Sequence, residues 1–205
     1  MKTALIVVDL QRDFCPGGAL AVKDGDAIVP AVNSIAGEFD KVIATRDWHP
    51  QDHISFASNH PGTKVQEILQ LGDIEQIMWP DHCVPGTPGS DFHPDLDLRN
   101  LDLIISKGTS SGLDSYSGFF ENDHTTPTGL EGYLKNLGIT DLAVCGLATD
   151  YCVFFTVIDA LHLGFNVDLV TDCVRGVDFP PGNIETRLAD MKKTGARLIE
   201  SVSLT

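Results

Sequence analysis

The feature that most restricts this chain is a set of short apolar runs that each stop at, or just before, a polar residue. Ala4 to Val8 reads ALIVV and stops at Asp9; Val42 to Thr45 reads VIAT and leads to Asp47. Leu101 to Ile105 reads LDLII and leads to Lys107, Leu142 to Cys145 leads to Gly146, and Val167 to Thr171 ends at Asp172. Runs this short and this rich in Val, Ile and Leu read as strands buried on both faces, the habit of parallel sheets. Arg197 to Ser201 is a sixth candidate.

Helical patterns lie between the runs. Ala27 to Phe39 has apolar residues at 28, 32, 35 and 39, with Asp26 as N-cap candidate and Pro30 in the first turn, where a missing N–H is tolerated. Gly129 to Leu137, Tyr151 to Leu163 and Ile184 to Thr194 each run into a glycine suited to a left-handed C-terminal position: Gly138, Gly164 and Gly195. The alternation predicts an α/β chain, a three-layer α/β/α arrangement around a central, mostly parallel six-stranded sheet of Rossmann-like type. A length of 205 residues fits one domain over 1–205.

Composition narrows the function. Apolar residues at 42% and charged residues at 21% exclude a largely disordered chain. Lys and Arg total 14 against 29 Asp and Glu, a net charge of −15, which argues against nucleic acid and against an anionic membrane surface as partners. No apolar run approaches the roughly 20 residues of a membrane span. The N-terminus enters a strand without the apolar stretch of a signal peptide. Five cysteines, at 15, 83, 145, 152 and 173, form no CxxC pair, so free thiols in a reducing cytoplasm are expected.

In open α/β sheets ligands bind at the carboxyl ends of strands. That rule selects Asp9, Asp47, Lys107, Cys152 and Asp172. Cys152 follows a strand and a Gly146-to-Asp150 turn, at the expected start of a helix, where unpaired N–H groups favour a thiolate and an oxyanion. Asp150 beside it is placed to cap that helix. Asp9 is the candidate base for the thiol, and Lys107 the counter-charge.

The segment from Trp48 to Asn100 is long, weakly periodic and holds five of the seven histidines, which marks a metal-binding loop region about 47–100. Asp47-Trp48-His49 is a D-x-H pair whose members point to one face if strand geometry persists. His82 leads as third ligand and His53 follows; Cys83 ranks lower, because neighbours in an extended chain face apart. An Asp/His/His set suits Zn²⁺, Fe²⁺ or Mn²⁺. Spacing alone leaves a metal-bound hydroxide and a cysteine nucleophile both open. Phe14, Trp48, Trp79 and Tyr116 flank these positions as pocket walls or as plain core, Trp48 equally either.

Val8 to Leu20 (VDLQRDFCPGGAL), Arg46 to Pro50 (RDWHP), Trp79 to Val84 (WPDHCV), Lys107-Gly108, Asp114 to Phe120 (DSYSGFF) and Gly146 to Val153 (GLATDYCV) together resemble the nicotinamidase/pyrazinamidase family, within the isochorismatase-like cysteine hydrolases. The resemblance runs nearly end to end. It implies a catalytic triad of Asp9, Lys107 and Cys152, and a cis Leu147–Ala148 peptide that aims the N–H groups of Ala148 and Cys152 at the substrate carbonyl oxygen. It implies one divalent metal, Zn²⁺ foremost with Fe²⁺ or Mn²⁺ as alternatives, on Asp47, His49 and His82 and binding the pyridine nitrogen. Some relatives add a side chain near His53 and others water. It implies a ring site at Phe14, Trp79, Tyr116 and Leu147, and deamidation of nicotinamide to nicotinate in NAD salvage, with pyrazinamide also accepted. A cytoplasmic enzyme with a small-molecule substrate is expected, and a homo-oligomer stays open. The rivals are a sibling amidohydrolase acting on a carbamoyl or ureido acid, an isochorismatase, a metallohydrolase with Cys152 as bystander, and an inactive binding module.

Overall fold

The computed structural model describes residues 2–72 and 74–204. Six strands form one sheet: β1 (Lys2–Val8), β2 (Lys41–Asp47), β5 (Leu103–Lys107), β6 (Ile139–Leu147), β7 (Asn166–Arg175) and β8 (Arg197–Ile199). Their order is β5-β2-β1-β6-β7-β8, and every neighbouring pair is parallel. From β1 the chain builds outward through β2 to β5, then crosses to β6 and builds the other way. The crevice between the ends of β1 and β6 is therefore the topological switch point, where open α/β sheets take their ligands.

Period-two alternation along β1 feeds two cores. Ala4, Ile6 and Val8 pack with α2 (Leu130–Leu137), α3 (Phe154–His162) and α4 (Asn183–Thr194) through Leu130, Leu134, Val157 and Met191. Leu5 and Val7 pack on the opposite face against α1 (Val29–Ile35), through Val29, Val32 and Ile35. Each such fully buried aliphatic side chain contributes roughly 1.5–3 kcal/mol, which makes the two-faced strands the backbone of stability.

Several boundaries differ from those read in the sequence. The Leu101-to-Ile105 run shifts by two residues, because pairing with β2 starts at Leu103 and carries Lys107 into the strand itself. Asp102 is spent on β2, its carboxylate accepting from the Val42 N–H (2.9 Å). The Ala27-to-Phe39 helix is cut to seven residues, flanked by 3-10 turns at Gly25–Ile28 and Ala36–Glu38. Asp26 lies inside the first of these turns and caps nothing. The third helix begins only at Phe154, after a wide π turn over Thr149–Val153. An antiparallel hairpin, β3 (Ile68–Leu71) with β4 (Ile74–Ile77), occupies part of the segment expected to be irregular. It escaped the sequence reading because each strand spans only four residues with little apolar alternation.

All five cysteines are free and buried. Among the described residues no helix is long and apolar enough to cross a membrane.

Candidate active site

Four chain segments deliver polar side chains to the carboxyl edge of the sheet. Asp9 follows β1 with a left-handed backbone (φ 46°), a conformation Asp tolerates better than most residues. Asp47 and Lys107 end β2 and β5 and are register partners. Cys152 sits in the π turn after β6. The Lys107 ammonium, fully buried, donates to Asp47 Oδ1, to the Ser115 carbonyl (3.0 Å) and to Cys152 Sγ (3.4 Å). It also lies 2.9 Å from Asp9 Oδ2, as an ion pair whose angle leaves that oxygen without a formal hydrogen bond. The other Asp9 oxygen accepts from Thr45 Oγ1 (2.6 Å).

Burial sets the protonation of this cluster. Burial raises the Asp9 carboxyl above its usual range, and the nearby Asp47 charge adds to that, against the pull of Lys107. Asp47 is equally buried, but Lys107 and His49 hold it well below the usual range. Burial alone would lower Lys107; Asp47 and Asp9 instead push it well above the usual amine range. The Cys152 thiol is driven well above its normal range by burial, opposed by Lys107 and reinforced by the two carboxylates. Burial therefore favours the protonated form of the thiol, and Lys107 opposes it. The helix-start thiolate expected from the sequence is opposed here, since Cys152 lies in a π turn, beside an ammonium that also faces two acids. Of the two carboxylates, Asp9 is the one suited to carry a proton and Asp47 the one that stays ionised.

The geometry also fits a metal. Asp47, His49 and His82 offer ligand atoms that all lie within 4.8 Å of one another. His49 Nδ1 bonds to the Gly108 carbonyl (2.9 Å) and His82 Nδ1 to the Pro80 carbonyl (2.7 Å). A carbonyl only accepts, so each Nδ1 carries a hydrogen; in the neutral ring a metal would need, each Nε2 then presents the lone pair, the outer anchoring typical of metal-bound imidazoles. Both Nε2 atoms lie near Asp47 Oδ2, at 3.5 and 3.8 Å. His53 is different. It stacks on His49 (4.0 Å between centroids), but its Nδ1 takes the Ser55 hydroxyl (2.7 Å) and its Nε2 the Leu113 carbonyl (3.2 Å). Both its nitrogens are engaged. Gly108 has φ +61°, and a Cβ there would stand 2.2 Å from the His49 ring, so only glycine lets this carbonyl reach the imidazole.

A cavity of ≈ 400 Å³, its open mouth included, lies against Cys152, Ala148 and the Asp47/His49/His82 trio, and Phe14, Trp79 and Tyr116 also line it. Trp79 Nε1 donates to Tyr116 Oη (3.1 Å), and Phe14 meets His82 edge-on (5.5 Å). Ala148 accepts, through its carbonyl, from the N–H groups of Tyr151 and Val153 on either side of Cys152 (both 3.1 Å), and the Leu147–Ala148 peptide is cis. Leu147, expected in the ring site, does not line the cavity; its side chain joins the core on the α1 face. Trp48 lies under the Arg46 guanidinium (3.8 Å) and is also outside the cavity. Asp172 falls within β7 and binds Ser201, so it does not converge on the site. Asp150 makes no cap to its own helix and turns instead to residues 177–183.

The structure adds residues to which the sequence reading gave no role. Leu20, Asp114, Tyr151 and Val177 complete the lining. Leu20, Asp114 and Tyr151 stand in the quoted motifs and were findable there; Val177 lies outside them and carried no chemical signal. Gln11 clamps Asp47 from both sides, accepting from its N–H (2.7 Å) and donating to its carbonyl (2.9 Å).

The model of the isochorismatase domain matches residues 3–202. The chain is 46% identical over 198 residues to the nicotinamidase of Acinetobacter baylyi, covering 97% of this chain and 92% of that one. Its structure is similar to that of an Acinetobacter baumannii nicotinamidase/pyrazinamidase (TM-score 0.97, 47% identity, 100% and 98% of the two chains). It is also similar to the pyrazinamidase of Pyrococcus horikoshii in complex with zinc (TM-score 0.79, 41% identity, 98% and 99%). Likeness of this extent, in sequence and in backbone, means that the chain belongs to the isochorismatase family, on its nicotinamidase/pyrazinamidase branch.

Proposed function

We propose that this protein is an amidohydrolase that converts nicotinamide to nicotinate and ammonia, and pyrazinamide by the same route, with Asp9, Lys107 and Cys152 as its triad. The observation that carries the reading is the fully buried Lys107 ammonium, in reach of both the Asp9 carboxylate and the Cys152 sulfur. Cys152 Sγ attacks the amide carbon as Asp9 takes its proton, so no resting thiolate is needed. The N–H groups of Ala148 and Cys152 hold the oxygen as charge develops on it. Asp9 passes the proton to the leaving nitrogen, the C–N bond breaks, and ammonia departs from a Cys152 thioester. Asp9 next takes a proton from water, whose oxygen attacks the thioester. The C–S bond breaks, the carboxylic acid forms, and the proton on Asp9 returns to sulfur.

Asp47, His49 and His82 would hold a divalent ion, zinc foremost, which when bound supplies a Lewis-acid anchor for the ring nitrogen. Phe14, Trp79 and Tyr116 enclose the ring. Among the described residues no Arg or Lys side chain lines the cavity, and Lys107 is paired with Asp9 and Asp47, which disfavours the carboxylate substrates of a carbamoyl- or ureido-acid hydrolase. A role in NAD salvage and a cytoplasmic setting follow from this reading.

Ammonia release from nicotinamide tests it, measured before chelation, after chelation and after return of Zn²⁺, Fe²⁺ or Mn²⁺ singly. Release that is lost and then restored is the expected result. No release under any of these conditions would refute the assignment.

A further inference from the structure

Asp150 is fully buried two residues before the nucleophile, yet it does not line the cavity and, among the described residues, no cation lies among its hydrogen-bond partners. Its partners all come from 177–183, that is, from the connection between β7 and α4 and the first residue of α4. Asp150 Oδ1 accepts from the Val177 N–H (2.9 Å), and Oδ2 from the Phe179 N–H (3.3 Å) and Asn183 Nδ2 (3.2 Å). Two further bonds tie the same segment. Tyr151 Oη donates to the Phe179 carbonyl (2.6 Å), and so does Asn183 Nδ2 (2.9 Å). The approach is close enough that a Cβ on Gly176 would stand 2.8 Å from Asp150 Oδ1 and 2.6 Å from Ile184. Val177, at the start of this segment, forms part of the cavity wall beside Cys152.

We infer that Asp150 is a positioning residue for hydrolysis: it fastens the 176–183 segment to the nucleophile's turn and so holds the Val177 wall against the bound ring. The inference rests on the reading of this cavity as the amidohydrolase site. A buried carboxylate without a cation must gather N–H donors, and three from one loop give that loop a single seat. Asparagine has the same size but the wrong polarity. Its NH₂ would face the Val177 N–H or the Phe179 and Asn183 donors, and either choice sets donor against donor.

The test compares Asp150→Asn and Asn183→Ala with the wild type. The first readout is alkylation of Cys152, located by peptide mass spectrometry, as the ratio of rates for a bulky maleimide and for iodoacetamide. The second is KM and kcat for ammonia release. In Asp150→Asn the rate ratio should rise about fivefold and KM about tenfold, with a smaller fall in kcat, as expected for lost hydrogen bonds to a charged group. Asn183→Ala removes one donor and should move both readouts the same way by less. An unchanged ratio with unchanged KM overturns the inference. A fall in kcat alone also overturns it, since that places Asp150 with the sulfur rather than with the wall. If Asp150→Asn fails to fold, Asn183→Ala decides by the same two readouts. The alkylation ratio needs no substrate, so a wild type that releases no ammonia would sink the proposed reaction and leave this inference to be judged separately.

Discussion

Asp47 and Lys107 face each other on the last rung between β2 and β5, and the ammonium of one bonds directly to the carboxylate of the other. The same carboxylate presents its second oxygen to His49 and His82. One aspartate therefore belongs both to the candidate metal site and to the charge cluster around the candidate nucleophile. The two halves of the site are held in fixed relation by strand register, the most rigid device the fold offers.

Removing the cation from this cluster should cost stability as well as activity. Lys107→Ala leaves Asp9 and Asp47 buried beside each other without a counter-charge, and breaking such a buried arrangement typically costs about 3–5 kcal/mol. Urea unfolding of the mutant should show a lower midpoint with little change in slope. A midpoint equal to wild type would mean that the two acids find another partner.

Cys152→Ala should lower nicotinamide hydrolysis by at least about 10⁴-fold while leaving the far-UV circular dichroism intact, because the side chain is small and is replaced by a smaller one. Turnover near the wild-type rate would instead favour a metal-bound hydroxide as nucleophile.

The two stacked histidines should behave unequally toward metal. His49→Ala should weaken zinc binding by more than about 100-fold in competition with a chromophoric chelator. His53→Ala should change it by less than about tenfold, because both nitrogens of His53 are engaged by Ser55 and Leu113. Equal losses in the two mutants would place His53 among the ligands.

Tyr116→Phe removes the acceptor of the Trp79 indole N–H and leaves ring packing in place. The loss of one neutral hydrogen bond, worth about 1 kcal/mol, should raise KM roughly fivefold with kcat nearly unchanged. Steady-state kinetics with nicotinamide check this, and a fall in kcat without a change in KM would move Tyr116 from ring binding to chemistry.

Much of this arrangement was legible in the residues. Strands buried on both faces leave a clear apolar signature, and the polar residues that stop them mark the ligand edge of the sheet. That logic reached Asp9, Asp47, Lys107 and Cys152, which do come together, and it also reached Asp172, which does not. Position along a strand tells that a residue is near an end, but not which strands are neighbours; β7 lies beyond β6, and Asp172 turns to Ser201.

The sequence by itself determined the layered α/β architecture, because hydrophobic periodicity is a local property that survives without knowledge of contacts. It also determined the motif residues from which the site is assembled. Only the tertiary structure decided their states and partners. Asp9 and Asp47 are the same residue type and equally buried, yet the histidines beside Asp47 and the like charge beside Asp9 send their proton affinities in opposite directions. His49 and His53 stack four residues apart, yet His49 Nδ1 meets the Gly108 carbonyl and its Nε2 faces Asp47, while both nitrogens of His53 meet Ser55 and Leu113. Leu147 turns into the core, and Val177, a residue with no chemical signal, becomes a wall of the cavity. Dielectric environment, hydrogen-bond geometry and side-chain direction arise from groups distant in the chain, so no local reading of the residues contains them.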